Sequence, residues 1–218
     1  FTAGAKDWIH AELTGELLTD PSTAAGFGAY DLTTGAWDER IAAVAGSPRL
    51  PRVAPSDTTT PLRAQTAARW GCRSIPVVLG AADSVLGAYG LGALGPGAVA
   101  CIAGTSTALL AASAEPRPDP RGRYLVTPAL GGYAHEMDLM TTGSALRWLA
   151  ALTGTDVVAL VAEAEGVADA PLVLPYFGPG EQGALWDPAL TGSVTGLTLQ
   201  TTRGGLARGT LSGIVLEL

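Results

Sequence analysis

At 218 residues with 47% apolar side chains, the chain is long enough to bury a real core, as one large domain or two small ones. Thirteen basic against 20 acidic residues give a net charge of −7, and the basic residues are scattered, which argues against a nucleic-acid surface or a polybasic membrane patch and leaves small neutral or metal-accompanied ligands. Cys72 and Cys101 lie too far apart for a metal-ligand pair and are too few for a disulfide framework, which suits a reducing cytoplasm, and each is expected as a buried small apolar residue.

The chain opens on "AGAKDWIHAELTG", read as a helix with Trp8, Ile9 and Leu13 on one stripe, His10 on the polar side and Gly15 as its stop. In "LLTDPST", Asp20 and Ser22 form a turn or cap pair. Ala36 to Gly46 is expected as a short amphipathic helix after the turn "DLTTG", and Pro61 to Gly71 as a second helix with proline at its first position. "IPVVLG" is a buried strand and "SVLGAYGLGALG" a small-residue helix or turn. Then "GAVACIAG", "TALLAAS", "GRYLVTPAL" and "GYAHEMDL" read as four neighbouring strands, with His135 on the surface. "TTGSALRWLAALTG", with Trp148 in the core, "DVVALVAEAEG" and "RGGLARGTLSGIVLEL" complete the pattern as helices. Trp186 and Asp187 in "GALWDPAL" are expected to fix a loop.

This alternation is an α/β pattern, and the run of short strands after Pro96 implies a partly antiparallel sheet. Gly95-Pro96-Gly97 is the natural domain boundary. The uncharged stretch from Gly87 to Gly104 is broken by glycines and Pro96 and has no close basic flank, so it does not read as a membrane span. No signal peptide heads the chain, and both ends fall inside helical patterns, so the sequence reads as a piece of a longer protein.

Two features carry chemistry. Asp83, just past "PVVLG", is the only ionised side chain between Arg73 and Glu115. Its plain reading is a helix N-cap; its functional reading is a carboxylate kept away from cations so that it can accept a proton. The second is "IAGTSTALL", in which Gly104, Thr105 and Ser106 form the tip between two apolar strands. Such a tip is an ordinary turn in composition, but it also presents backbone N–H groups and hydroxyls to one point, as a phosphate site does.

The order "DWIHAELTGELLTDPSTAAG", "LPRV", "PVVLGAADSVLGAYGLGALGPG", "IAGTSTALL", "TGSALRWLA" and "LPYFGPGEQGALWDPALTGSVTGL" resembles the FGGY family of carbohydrate kinases, xylulokinases in particular, collinearly from about Lys6 to the end. The resemblance implies an actin-like, ribonuclease H-like ATPase fold. Residues 1–94 would be the C-terminal part of its first, sugar-binding domain, and residues 95–218 the N-terminal part of its second, nucleotide-binding domain. It implies Asp83 as general base, Ser84 beside it as a substrate contact, and Gly104, Thr105 and Ser106 as the turn holding ATP phosphates. The implied ligands are a sugar or polyol, ATP and Mg2+, with no metal ligand assigned in this chain, no nucleic acid and no membrane. A cytoplasmic enzyme follows, and a homodimer is compatible with it.

The family's Asp-x-Gly-Thr phosphate loop does not occur in these 218 residues. Where the family reads G-E-R-x-P, this chain has Gly180, Glu181, Gln182, Gly183 and Ala184, and near the end Gly209 and Ser212 replace the usual alanine and acidic or amide residue. The 218 residues alone are therefore expected not to turn over. The alternative is a non-catalytic nucleotide-binding relative on the same fold.

Overall fold

The computed structural model describes residues 3–218 apart from 45, 47–48, 94, 179–184, 186 and 188. Helix α1 (Ala5–Thr14) starts where Asp7 accepts the Gly4 N–H at 3.1 Å and ends at the left-handed Gly15. Its inward face is polar rather than the expected apolar stripe. Asp7 and His10 are buried, one turn apart, while Trp8 and Ile9 are half exposed. His10, expected on the surface, is held by its Nδ1, 3.1 Å from the Glu16 carbonyl oxygen.

Strand β1 (Leu18–Thr19) leads to α2 (Pro21–Ala25), which Asp20 caps by accepting the Ser22 N–H at 2.9 Å. The hairpin β2 (Tyr30–Asp31) and β3 (Ala36–Trp37) takes the first two residues of the expected Ala36 helix. Asp38 then starts α3 (Glu39–Val44) by accepting the amides of Arg40 and Ile41. Strand β4 (Arg52–Val53) pairs in parallel with β1.

Pro61 ends β5 (Thr59–Pro61) instead of opening a helix, and α4 (Ala64–Trp70) begins three residues later. Strand β5 pairs antiparallel with β6 (Pro76–Val78), and the register sets Pro61 opposite Pro76 at the end of this two-stranded ladder, where missing N–H groups cost little. Strand β6 is not buried as expected: Ile75 is 48% and Val78 58% exposed. Leu18, Ala54 and Leu79 pack together as an apolar cluster, and α5 (Asp83–Gly90) follows.

Strands β7 (Val99–Ala103), β8 (Thr107–Ser113), β9 (Leu125–Ala129) and β10 (Gly132–Leu139) form one sheet in the order β7-β8-β10-β9, at the four places the sequence marks. Helices α6 (Gly143–Leu152) and α7 (Val157–Ala164) meet α8 (Arg203–Glu217) in a core of Leu149, Ala150, Leu160, Ala164 and Ala207. Between them, β11 (Leu172–Leu174) pairs antiparallel with β12 (Ser193–Thr195). Trp148, expected in the core, is 49% exposed and stacks on Phe177 at 5.0 Å between ring centroids. Cys72 and Cys101 are free thiols and exposed, not buried as expected: Cys72 follows Gly71, the C-cap of α4, and Cys101 takes an exposed register position in β7.

Chain contacts divide the protein into two compact units. The first holds Phe1–Ala98, Ala111–Pro116 and Val126–Ala134; the second holds Val99–Leu110, Arg117–Leu125 and His135–Leu218. Among the described residues no single helix is long and apolar enough to cross a membrane.

Candidate active site

In the first unit, the turn from β6 into α5 places Asp83. The Leu79 N–H donates to Thr58 O and the Gly80 N–H to Ser56 O, both at 2.9 Å, so the chain leaving the strand is tied down before the helix begins. Ala82, with ψ 148°, is the N-cap of α5, and its carbonyl accepts the Leu86 N–H at 3.0 Å. Asp83 is therefore the first helical residue and not the cap. Its Oδ1 accepts the Ser84 N–H at 2.8 Å; the side chain is exposed, and among the described residues it has no cation partner. Ser84 is partly buried beside it.

Behind this turn lies a charged cluster that the sequence marks only as a cap pair. The Lys6 ammonium stands 2.9 Å from Asp7 Oδ1 and 3.0 Å from Asp20 Oδ1, and both carboxylates are fully buried. Burial pushes the Asp20 carboxyl up, but hydrogen bonds from Ser22, Thr23 and Lys6, together with the Lys6 charge, outweigh it and hold the group below its ordinary value. The Ser22 hydroxyl donates to Asp20 Oδ2 and accepts the Ala82 N–H at 2.9 Å.

Ser22 and Val85 also line a cavity of about 440 Å³ in the same unit, with Tyr30, Thr33, Thr34, Ser56 and Tyr133 supplying hydroxyl groups. Burial, with Tyr133 as neighbour, holds the Tyr30 phenol above its usual range. Pro21, Leu32, Val85, Pro128 and Ala129 make the rest of the lining apolar, so the cavity suits an uncharged ligand with both polar and apolar faces.

In the second unit, Gly104, Thr105 and Ser106 form the exposed tip between β7 and β8. The first turn of α6 is docked on this tip: Gly143 N–H donates to Gly104 O at 3.1 Å, and the amides of Thr142 and Ser144 donate to Thr105 O at 3.2 Å. The Thr107 hydroxyl donates to the buried Thr142 hydroxyl at 2.9 Å, and Arg147 Nη2 reaches Thr105 Oγ1 at 3.1 Å. A Cβ on Gly143 would collide with the Gly104 carbonyl oxygen, so only glycine allows this approach.

The tip's carbonyls are thus spent inward. The amides of Thr105 and Ser106 and the Ser106 hydroxyl have no partner among the described residues. Neutral donors at a tight turn, with one guanidinium beside them, fit an anion such as a phosphate. Sequence spacing found the tip but not Arg147, which becomes visible only once α6 docks.

Elsewhere in this unit, burial and the neighbouring Glu136 push the Asp138 carboxyl of β10 up to about 6. The side chain of His135, expected on the surface, is half buried against Tyr124, with ring centroids 4.8 Å apart. The departure at Gly180, Glu181, Gln182, Gly183 and Ala184 lies outside the described residues, as does Trp186, while Asp187 accepts the Ala189 N–H at 2.8 Å.

Residues 2–90 match the family model described as the FGGY family of carbohydrate kinases, N-terminal domain, and residues 99–218 match the C-terminal domain model of the same family. The chain belongs to the FGGY family of carbohydrate kinases. Its fold is the actin-like ATPase fold of that family. A gluconokinase of Bacillus licheniformis is 30% identical, over 99% of this chain and 46% of that protein. A glycerol kinase of Bordetella pertussis is 31% identical, over 96% of this chain and 44% of that protein. The crystal structure of a ligand-bound xylulose kinase from Lactobacillus acidophilus superposes with a TM-score of 0.88 at 28% identity, covering 98% of this chain and 46% of that one. This FGGY chain therefore spans somewhat less than half the length of the relatives it matches.

Proposed function

We propose that the protein to which these residues belong transfers the γ-phosphoryl group of ATP to a hydroxyl of a sugar or polyol, in the manner of a xylulokinase, and works in the cytoplasm. Residues 1–94 would serve the sugar side and residues 95–218 the nucleotide side. Asp83 carries the reading. In a chain of kinase ancestry it is an exposed carboxylate on the first turn of a helix, with no cation to neutralise it. Its free lone pairs are what a proton acceptor needs.

In the reaction, the acceptor hydroxyl gives its proton to the Asp83 carboxylate while its oxygen bonds to the γ-phosphorus. The bond from that phosphorus to the β–γ bridging oxygen breaks, and ADP leaves with the electron pair. Ser84 would contact the acceptor. Gly104, Thr105 and Ser106 would hold the phosphates through the unpartnered amides and the Ser106 hydroxyl, with Arg147 adding positive charge. The Mg2+ expected with ATP supplies neutralisation of phosphate charge. Among the described residues no group of three His, Cys, Asp or Glu side chains converges, and no ligand to that ion is assigned here.

The test is ADP release by the full-length protein with Mg-ATP against xylulose, glycerol, gluconate and related acceptors, beside its Asp83→Ala variant. One acceptor should stimulate turnover, and the variant should lose about 10² to 10⁴-fold in kcat while remaining folded. An unimpaired variant overturns the base assignment. Absence of turnover with every acceptor favours a non-catalytic nucleotide-binding relative.

A further inference from the structure

Ser22 lies sixty residues before Ala82 in the chain, yet its hydroxyl binds the N–H of Ala82, the residue just before the carboxylate. We propose that Ser22 is a positioning residue for Asp83: with Asp20 and Lys6 behind it, it pins the first turn of α5 and so fixes where the catalytic carboxylate stands. This inference rests on the role given to Asp83 above.

The polarity of the hydrogen bonds explains why a serine is used. Asp20 is fully buried with the Lys6 ammonium 3.0 Å from Oδ1, and its N-cap bond to the Ser22 amide also favours the ionised form. An ionised carboxylate only accepts, so the single hydroxyl proton of Ser22 must point to Asp20 Oδ2. That leaves the hydroxyl lone pairs for one donor, the Ala82 N–H at 2.9 Å. Ala82 is extended and lies outside the helix, so no intrahelical bond satisfies that amide. The peptide group before Ala82 is thus held through its N–H by Ser22, and the one that leads into Asp83 through its carbonyl by Leu86, so Ala82 is tied on both sides. Ser22 is 6% exposed and also lines the cavity described above, so the pin lies between the charged cluster and the space beside α5.

The experiment uses the full-length protein with Mg-ATP and the acceptor that turns over among xylulose, glycerol and gluconate. Ser22→Ala should lower kcat about 10- to 100-fold with the KM for ATP unchanged, because a displaced base slows the step without touching the nucleotide. Ser22→Thr, which keeps the hydroxyl, should restore kcat to within about threefold of the parent. Hydrogen exchange at the Ala82 amide should accelerate in Ser22→Ala and not in Ser22→Thr, while exchange in α7 and α8 stays unchanged.

Full kcat in Ser22→Ala alongside an inactive Asp83→Ala overturns the inference and leaves the base assignment standing. So does a loss in Ser22→Ala that threonine fails to rescue and that comes with faster exchange throughout the protein. Full activity in Asp83→Ala overturns the base assignment instead, and with it any catalytic role for the pin.

Discussion

The carboxylates show how environment sorts identical groups into different tasks. Asp20 is buried but surrounded by donors and a cation, and is held below its ordinary value. Asp83 is exposed with one amide on it, which leaves lone pairs free for the role proposed above. Asp138 is half buried beside Glu136, and burial, then that neighbour, pushes it up to about 6 from the ordinary 3.8. Its folded form therefore binds a proton more tightly than the unfolded chain does. Stability falls as pH rises from about 4 to about 6, and the deficit persists above that window. Asp138→Asn should accordingly stabilise the protein at pH 7.5, seen as a higher urea midpoint, by on the order of 1 kcal/mol once solvent screening is allowed for, and give no gain at pH 3.5. A gain of equal size at both pH values would mean that the ionised carboxylate is not what destabilises the strand. The sequence alone could not rank these residues. Asp83 stood out by its isolation, whereas the burial of Asp7, His10 and Asp20 depends on α1 turning its polar face inward.

At the level of elements, legibility followed local signals. The strands β7 to β10 and the helices α6 to α8 were readable because apolar pattern, turn glycines and length agreed, and the Gly104–Ser106 tip came with them. Strands β5, β11 and β12 were not, since three-residue strands carry too little pattern and Pro61 is as acceptable at a ladder's end as at a helix's start. The glycines of α8 have their reason only in three dimensions. A Cβ on Gly209 would strike the Pro171 carbonyl oxygen, and one on Gly213 the Val173 carbonyl oxygen, so the departure at Gly209 accompanies close packing of α8 on β11. The same logic makes Gly143 the contact through which α6 holds the Gly104–Ser106 turn, proposed above to bind phosphate. Gly143→Ala should cost about 1 to 3 kcal/mol, because backbone must move away from backbone, and it should weaken ATP binding more than acceptor binding. Thermal unfolding and separate KM values for the two substrates check this, and equal weakening of both would detach α6 from the nucleotide side.

At the scale of the whole molecule, the question is what these residues can do by themselves. Phosphoryl transfer rests on positioning and charge stabilisation, so an incomplete set of phosphate contacts loses rate steeply. On the proposed reading the chain supplies a carboxylate, one phosphate turn and Arg147, but no Asp-x-Gly-Thr loop occurs in its 218 residues. Expressed alone, the 218 residues should release no acceptor-dependent ADP from Mg-ATP under conditions in which the full-length protein does. Turnover by the 218 residues would show that the carboxylate and a single turn suffice, and it would remove the reason for requiring a second phosphate loop.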